Sequence, residues 1–377
     1  MTPTDPWLLG SVATPALVVD RDVLVANLRE MAAIAREHGV ELLPHAKTHR
    51  MVGAGLLQVE HGADGLCVAK IGEAERFADA GITRLFVAYP VVGRDKAERA
   101  LALHRRVDLV LGTDSVEGAR SLASTFAEAG EQVRLMLAVD SGLGREGVTP
   151  ESAPEVAEEI AALDGVDLVG VYTHEGSTYG AADDDELAQR SRAVAELMVS
   201  TARRIRERGL ALPHVSMGSS ASARHVAAVE GVTQIRPGIY AFNDVGQIAL
   251  GNATLETTAQ RVVATVVSHP DAGRACIDAG SKALGTDLVP AAAHRDGYPG
   301  HGLIVGRPGW VIDKLSEEHG WLRWYGDGEP TPLPVGTRLE IVPNHACMAF
   351  ASLRLAHVVS GGHQVETWDG FAGGASE

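Results

Sequence analysis

A lysine between two histidines is the most reactive feature of this chain, in the segment LPHAKTH at residues 43–49. The amine of Lys47 can form an imine with an aldehyde, and imidazoles can move protons. Because Pro44 disfavours helix around it, we predict an extended stretch in which His45, Lys47 and His49 share one side. The segment follows a short apolar run, where a barrel enzyme would place a Schiff-base lysine.

Four further polar segments each follow a short apolar run. DSGLGREG at 140–147 contains Arg145, and YTHEGSTY at 172–179 contains Tyr172, His174 and Tyr179. GSSAS at 218–222 is a turn of small residues before a helical pattern, and its N–H groups and hydroxyls suit a phosphate. Such a turn is more often only a helix N-cap. RPGIY at 236–240 follows the next apolar run and adds Arg236, Gly238 and Tyr240.

The segment PNHAC at 343–347 brings together an imidazole and a thiol. On a strand-like segment, His345 and Cys347 at spacing i, i+2 would point the same way, and this pair of ligands favours zinc. The alternative is a buried histidine beside a buried apolar cysteine, and spacing alone favours that alternative. The other two cysteines, Cys67 and Cys276, have no ligand-like neighbours, and we expect them in the core.

These segments require elements to position them. The first helix is the clearest, with Asp20 as N-cap and Gly39 as C-terminal stop. A strand–helix unit repeated eight times predicts a TIM-type (β/α)8 barrel with its active site at the C-terminal strand ends. A doubly wound parallel sheet is the alternative, because strand order cannot be read from sequence. The predicted strands are 41–44, 65–69, 84–89, 108–111, 133–139, 166–172, 214–217 and 234–240.

Helical periodicity gives way to β-rich runs after about residue 255. We therefore predict two domains: a barrel over 20–250, and a mostly β domain formed by 1–19 plus 251–377. The run 16–19 has no partner in the barrel and is expected to pair with the β domain. The predicted strands of that domain are 260–268, 274–278, 302–312, 322–325, 337–342 and 347–359.

Composition limits the classes of partner. The 33 Lys and Arg against 49 Asp and Glu give a net charge of −16 without a basic run, so we expect neither nucleic acid nor an anionic membrane as a partner. No apolar run approaches the roughly 20 residues of a spanning helix, and the N-terminus lacks a signal-peptide pattern. Three cysteines at distant positions argue against a disulfide framework. We therefore expect a cytoplasmic protein.

A lysine, a phosphate turn and nearby arginines together suggest pyridoxal 5'-phosphate. From residue 14 to about 368 the chain resembles the alanine-racemase-fold (fold type III) pyridoxal phosphate enzymes and, within them, the D-serine dehydratase and D-threonine aldolase group. The motifs that carry the resemblance are TPALVVD (14–20), PHAKTH (44–49), DSGLGR (140–145), GSS (218–220), RPGIY (236–240), DAGSK (278–282) and PNHAC (343–347). The resemblance implies a barrel plus a β domain, and a homodimer with active sites near the subunit interface.

The resemblance also implies roles for individual residues. Lys47 would hold the cofactor, Arg145 would meet its hydroxyl or the substrate carboxylate, and Arg236 would lie near the pyridine nitrogen. His345 and Cys347 would bind a divalent metal, zinc before manganese or magnesium. The remaining cofactor-binding residues would be Tyr172, Gly218, Ser219, Ser220, Gly238 and Tyr240, and the substrate contacts would be His45, His174 and Tyr179. This chain reads GSSAS where relatives are expected to read GSTPT.

The implied activity is a pyridoxal phosphate- and metal-dependent lyase of D-β-hydroxy amino acids. Loss of the α-proton and the β-hydroxyl would give a 2-oxo acid and ammonia, as in a D-serine dehydratase. Loss of the hydroxyl proton and cleavage of Cα–Cβ would give glycine and an aldehyde, as in a D-threonine aldolase. The pair His-x-Cys favours the dehydratase, because aldolase-type relatives are expected to carry His-x-Asp. More distant alternatives are an amino-acid racemase, with Tyr325 as its second base, and a non-catalytic pyridoxal phosphate carrier, which would lack the β domain.

Overall fold

The chain forms two separate sheets in this computed structural model, which describes residues 12–289 and 300–371. The described residues form two compact units: those within Met1–Leu28, Thr48–Met51 and Ile239–Gly370 form one, and those within Arg29–Lys47, Val52–Gly238 and Phe371–Glu377 form the other. The strands are β1 (Ala16–Asp20), β2 (Glu41–Leu42), β3 (Leu66–Val68), β4 (Arg84–Pro90), β5 (Asp108–Thr113), β6 (Val133–Ala138), β7 (Val166–Thr173), β8 (His214–Met217), β9 (Gln234–Ile235), β10 (Gln260–Asp271), β11 (Arg274–Ile277), β12 (Leu303–Ile304), β13 (Trp310–Leu315), β14 (Gly320–Trp324), β15 (Arg338–Val342), β16 (Leu355–Ser360) and β17 (His363–Asp369).

Helices follow the strands of the first sheet in regular alternation. The first helix is confirmed: Asp20 Oδ1 accepts the N–H groups of Asp22 and Val23, and Gly39 ends the helix at φ 66°. The helices are α1 (Arg21–His38), α2 (Val52–Glu60), α3 (Ile71–Asp79), α4 (Arg94–His104), α5 (Val116–Glu128), α6 (Ala153–Ala161), α7 (Asp184–Arg206), α8 (Ala223–Ala227), α9 (Val245–Ala249), α10 (Ser281–Leu284) and α11 (Ala346–Leu353). Short 3-10 helices lie at Ala46–Thr48, Gly176–Gly180, Ile239–Ala241 and Leu255–Thr257.

The eight strands β2 to β9 form a closed parallel barrel. Their order is β2-β9-β8-β7-β6-β5-β4-β3, and a parallel bridge between His45 and Cys67 joins its two ends. The predicted (β/α)8 barrel is therefore confirmed, and a doubly wound sheet is excluded because such a sheet stays open. Apolar side chains from alternating strand positions fill the interior, so a ligand can bind only at an end of the barrel. The buried cluster is Leu43, Cys67, Phe86, Met136, Ala138, Val169 and Tyr172.

The second sheet is the predicted β-rich part of the chain. Its main path runs β13-β14-β11-β10-β1-β16-β17, with β15 pairing β10 and β12. Strand β1 pairs antiparallel with β10 and parallel with β16, so the expectation that the run 16–19 joins this sheet is confirmed. Among the described residues, no helix is long and apolar enough to cross a membrane.

Three predicted strands are wrong in detail. The eighth barrel strand ends at Ile235, because Pro237 has no N–H for a strand ladder, and Ile239–Ala241 is a 3-10 helix. The run 302–312 is interrupted between β12 and β13, where Gly306 and Gly309 adopt positive φ. The run 347–359 begins as helix α11 and becomes strand β16 only at Leu355.

Candidate active site

Charged side chains at the N-terminal ends of the barrel strands pair with one another. Arg84 lies 2.8 Å from Glu41 and 3.6 Å from Asp108, and Arg134 bonds Asp108 and lies 3.9 Å from Asp167. These residues stand at or next to the first positions of β2, β4, β5, β6 and β7. Because their charges already have partners, this end of the barrel resembles a structural cap.

The C-terminal ends of the strands differ in a way that suggests a ligand. His45 Nδ1, the Tyr172 hydroxyl and Arg236 Nε are buried without an oxygen or nitrogen partner among the described residues. Leaving a buried polar atom without a partner costs about 1–3 kcal/mol. Several such atoms at one end of the barrel are explained most simply by a polar molecule that binds there. The candidate site therefore lies at the C-terminal end of the barrel.

Lys47 lies in the 3-10 helix Ala46–Thr48, which is separated from the end of β2 by three residues, with an exposed side chain. The predicted extended stretch is thus wrong, and the argument that alternation places His45, Lys47 and His49 on one side does not apply. The backbone before the lysine is held on both sides: His45 N–H donates to the Pro237 carbonyl at 2.9 Å, and Cys67 N–H donates to the Pro44 carbonyl at 2.9 Å. The amine of Lys47 is accessible, although the peptide before it is fixed.

Two histidines near Lys47 are neutral at physiological pH. Burial and the positive charges of Lys47 and Arg236 hold the pKa of His45 well below its ordinary value. Burial lowers the pKa of His174 to about 4. The Nδ1 atom of His174 bonds the carbonyl oxygen of Gly218, and a carbonyl can only accept. His174 Nδ1 therefore carries the proton, and Nε2 presents a lone pair. The ring of Tyr179 lies 6.4 Å from that of His174.

Arg236 is buried at the end of β9. Its terminal nitrogens donate to Ser216 Oγ at 2.5 Å and to the Thr173 carbonyl at 2.6 Å. The guanidinium carbon lies 5.5 Å from the centroid of the Tyr172 ring. A Cβ atom on Gly218 would stand 2.5 Å from an Arg236 nitrogen, so glycine is required there for the close approach of the guanidinium.

The turn at 218–222 is braced by a residue that sequence reasoning missed. Glu175 is fully buried, and it accepts the N–H of Gly218 at 2.8 Å and the hydroxyl of Ser222 at 3.3 Å. Burial raises the pKa of Glu175. The N–H of Gly218 consequently points at Glu175, and the glycine contributes to the turn mainly by its lack of a side chain. The available signal was an acid directly after an apolar strand and beside His174.

Two serine hydroxyls also shape the turn at 218–222. Ser219 Oγ accepts the N–H of Ala221 at 3.2 Å, and Ser220 Oγ accepts the N–H of Gly238 at 3.0 Å. The second bond ties the loop after β8 to the loop after β9. Gly238 is thus bound to the predicted turn through its backbone. Tyr240 is buried in the 3-10 helix Ile239–Ala241.

These barrel residues fit pyridoxal phosphate. An accessible lysine amine, a turn of small residues and unpartnered buried atoms of His45, Tyr172 and Arg236 are the groups that a polar aromatic aldehyde with a phosphate requires. Arg145 lies in an exposed loop and forms a two-point ion pair with Glu146, with distances of 3.0 and 2.7 Å. A substrate or cofactor that uses Arg145 would have to compete with that carboxylate.

Glu175 can be tested through its effect on the turn. Glu175→Ala leaves the buried N–H of Gly218 unpaired, so we expect the free energy of unfolding to fall by about 1–3 kcal/mol, and the affinity for pyridoxal phosphate to fall more than that for pyridoxal. Glu175→Gln keeps an acceptor for Gly218 and should restore most of both losses. Glu73→Gln is the matched control, since Glu73 is a buried acid that accepts the Ala69 N–H at 2.8 Å. Equal losses for both ligands would contradict a role in the phosphate turn.

The metal pair is built differently from the prediction. His345 has extended backbone at φ −137° and caps helix α11, and Cys347 lies in the first turn of that helix. Asp244 determines this local fold, because its two carboxylate oxygens accept the N–H of Gln247 and that of Ala346, each at 2.9 Å. The strand-like alternation is therefore wrong.

His345 and Cys347 are nevertheless neighbours. Burial opposes the charged imidazole, but the Cys347 thiol and Asp287 interact with it and raise the pKa of His345 to about 10. The Cys347 thiol also contacts Thr48 Oγ1 at 3.5 Å. No group of three or more His, Cys, Asp or Glu in residues 12–289 and 300–371 is arranged to hold a metal. The donor set is therefore one imidazole and one thiol, which suits zinc with positions left for water or substrate.

The remaining residues that sequence analysis singled out have ordinary roles. Cys67 is buried in the barrel, and burial raises the pKa of its thiol to about 11, so it is a poor ligand. His49 Nδ1 accepts the N–H of Met51 at 3.0 Å. Tyr325 is exposed, and its hydroxyl donates to Asp313 at 2.9 Å. Cys276 is a partly buried free thiol.

Comparison with known proteins identifies relatives over nearly the whole chain. A model of the alanine racemase N-terminal domain matches residues 19–244, and a model described as a "putative serine dehydratase domain" matches residues 259–359. The chain is 36% identical to a D-threo-3-hydroxyaspartate dehydratase of Delftia sp. (strain HT23), over 97% of this chain and 99% of that one. It is 32% identical to a D-threonine aldolase of Arthrobacter sp., over 99% and 96%. A solved cysteine-to-alanine mutant of D-threo-3-hydroxyaspartate dehydratase in the metal-free form matches with a TM-score of 0.87 at 33% identity, over 97% and 99%.

Proposed function

The chain belongs to the alanine-racemase-fold pyridoxal phosphate enzymes and, within them, to the family of D-serine dehydratases and D-threonine aldolases, and from that membership we propose that it is a lyase of D-β-hydroxy amino acids. The proposed reaction removes ammonia and gives a 2-oxo acid. The observation that carries this choice is the His345–Cys347 pair, in which the second ligand is a thiol.

Lys47 would hold the cofactor and act as a base. When bound, pyridoxal phosphate supplies an electron-accepting ring next to the substrate α-carbon. The amine of Lys47 would hold the cofactor through its aldehyde and would take the substrate α-proton on Nζ. Arg236 would lie near the ring nitrogen. Ser219 and Ser220 shape the turn that receives the phosphate.

His345 and Cys347 would hold a divalent metal, for which we propose zinc. A bound metal makes a β-hydroxyl a better leaving group and also acidifies it. Thiolate and imidazole favour zinc over manganese or magnesium, which prefer oxygen ligands. Thr48, whose hydroxyl oxygen contacts the Cys347 thiol, follows Lys47 in the sequence.

The elimination balances without a further reactant. The α-proton goes to Lys47, the hydroxyl leaves as water after protonation, and the released enamine hydrolyses to the 2-oxo acid and ammonia. The Delftia relative, at 36% identity, is a D-threo-3-hydroxyaspartate dehydratase. The dehydratase solved in a metal-free form is a cysteine-to-alanine mutant, which supports a cysteine as metal ligand in this chain as well.

Aldol cleavage is the second candidate, and His174 is the observation that favours it. Cleavage of Cα–Cβ requires a base for the β-hydroxyl proton, and His174 presents an unprotonated Nε2. Its pKa of about 4 makes it a weak base, so it depends on a hydroxyl that the metal has already acidified. The Arthrobacter relative, at 32% identity, is a D-threonine aldolase, so the relatives include an aldolase as well as a dehydratase.

A proton NMR time course separates the two reactions. Purified protein with pyridoxal phosphate and zinc is given D-threonine, D-serine or D-threo-3-hydroxyaspartate. Elimination gives 2-oxobutyrate, pyruvate or oxaloacetate with ammonia. Cleavage gives glycine with acetaldehyde, formaldehyde or glyoxylate and would replace the leading proposal. An epimer would indicate a racemase, and no conversion would favour a pyridoxal phosphate carrier.

Three further parts of the proposal describe the setting of the enzyme. The cofactor would be bound by the barrel over 20–250, and the metal by the β-rich domain formed by 1–19 plus 251–377. Family membership supports a homodimer with active sites near the subunit interface. A cytoplasmic location is supported by the three cysteines, which are all free thiols.

A further inference from the structure

A carboxylate in the loop after α10 holds the ring of His345. Asp287 Oδ2 lies 2.5 Å from His345 Nδ1, although the two residues are 58 positions apart in the sequence. The backbone of the same loop is tied to the preceding residue, because Asn344 Nδ2 donates to the Asp287 carbonyl at 3.0 Å. Two consecutive residues, Asn344 and His345, are therefore fixed to Asp287 by side-chain hydrogen bonds.

This contact determines which ring nitrogen of His345 can bind a metal. A carboxylate beside Nδ1 keeps the proton on that nitrogen, so Nε2 is the nitrogen that gives up its proton to a metal. Histidines that bind metals commonly donate their other N–H to a carboxylate, which fixes the ring orientation and raises the basicity of the ligand. The position of Asp287 matches that arrangement.

Asp287 does not fit the role of a third ligand. An atom that bonds Nδ1 lies on the opposite side of the ring from Nε2 and cannot approach a metal bound there. The described part of the chain also holds no cluster of three metal-binding side chains. Asp244, the other acid near His345, already accepts two backbone N–H groups. Asp287 is thus the carboxylate that orients the ring.

We propose that Asp287 is a positioning residue for the metal site, which holds His345 with Nε2 available to the ion. This inference rests on the proposed function, because it requires that His345 and Cys347 bind a metal. Its consequence is specific: loss of the carboxylate weakens metal binding without removing a ligand. We expect a fall in affinity of about 10- to 100-fold for Asp287→Ala, the range seen when a carboxylate behind a metal-bound histidine is removed.

Cobalt(II) titration of the chelator-treated, dialysed full-length protein tests the proposal without reference to turnover. The absorption bands of bound cobalt report both the affinity and the ligand set. We expect the affinity to fall in the order wild type, Asp287→Asn, Asp287→Ala, with band positions unchanged. Asp313→Asn is the matched control, since Asp313 also has side-chain partners, the Tyr325 hydroxyl at 2.9 Å and Arg323 at 3.1 Å. Its affinity for cobalt should stay within twofold of the wild type.

The possible outcomes are distinguishable. If the wild type binds no cobalt, the proposed function fails at its metal site. If the wild type binds cobalt and both Asp287 variants bind it equally well, the positioning role is refuted. Shifted bands in the variants would make Asp287 a direct ligand and would also overturn the proposal. Should Asp287→Ala fail to fold by circular dichroism, Asp287→Asn decides, since it preserves the side-chain shape.

Discussion

Replacing Lys47 with alanine is expected to abolish turnover, with a fall in kcat of about 10³-fold or more. In the proposed mechanism the lysine both attaches the cofactor and takes the α-proton, so no other group could compensate for both losses. Borohydride reduction of the holoenzyme should place a phosphopyridoxyl group on the peptide that contains Lys47. Mass spectrometry of digested wild type and Lys47→Ala protein measures this attachment independently of activity.

Lys70 provides the matched control for Lys47. Lys70 also lies shortly after a barrel strand, β3, and its amine is 3.7 Å from the centroid of the Tyr89 ring. Lys70→Ala should retain the modified Lys47 peptide after reduction. Recovery of the phosphopyridoxyl group on Lys70 in wild-type protein would refute the assignment, and so would full activity of Lys47→Ala.

Removal of a proposed metal ligand is expected to have the second-largest effect on activity. Cys347→Ala leaves one imidazole as the only protein ligand of the proposed pair, so we expect metal affinity and kcat/KM to fall by at least about 100-fold. Treatment of the wild type with a chelator should reproduce the loss of activity, and added zinc should reverse it. The measurements are metal content by mass spectrometry and initial rates before and after zinc addition.

The controls for Cys347 use the other partly buried thiol and a change of donor type. Cys276 is a free cysteine in β11, and Cys276→Ala should keep both metal and activity. Cys347→Asp exchanges a thiolate for a carboxylate, so it should retain metal and shift the products towards glycine and aldehyde. If Cys347→Ala retains metal and full activity, the pair is not the metal site.

The strands and helices could be predicted from sequence patterns because each pattern involves residues that are close together in the chain. Alternating apolar runs and helical periodicity indicated the eight strands that close into the barrel. Asp20 and Gly39 marked the ends of the first helix, since capping depends on residues within one turn. The loss of helical periodicity near residue 255 located the β-rich part. Family motifs identified Lys47, His345 and Cys347 as candidate site residues.

Local patterns failed where a contact from a distant residue determines the backbone. The segment after His345 reads as strand, but Asp244 accepts the N–H of Ala346 from 102 positions away, and helix α11 forms. Residues 46–48 read as extended after Pro44, yet the loop bends into a 3-10 turn while its flanking backbone bonds to residues 237 and 67.

The sequence by itself determined the fold class, the family and the types of chemical group, because periodicity and motif spacing are properties of the chain. The tertiary structure alone decided the protonation, orientation and hydrogen-bond partners of those groups. The proton on His174 Nδ1 depends on Gly218, the turn at 218–222 depends on Glu175 from 43 positions away, and the ring of His345 depends on Asp287. Hydrogen bonds act over about 3 Å in space at any separation in sequence, so only folding brings these partners together.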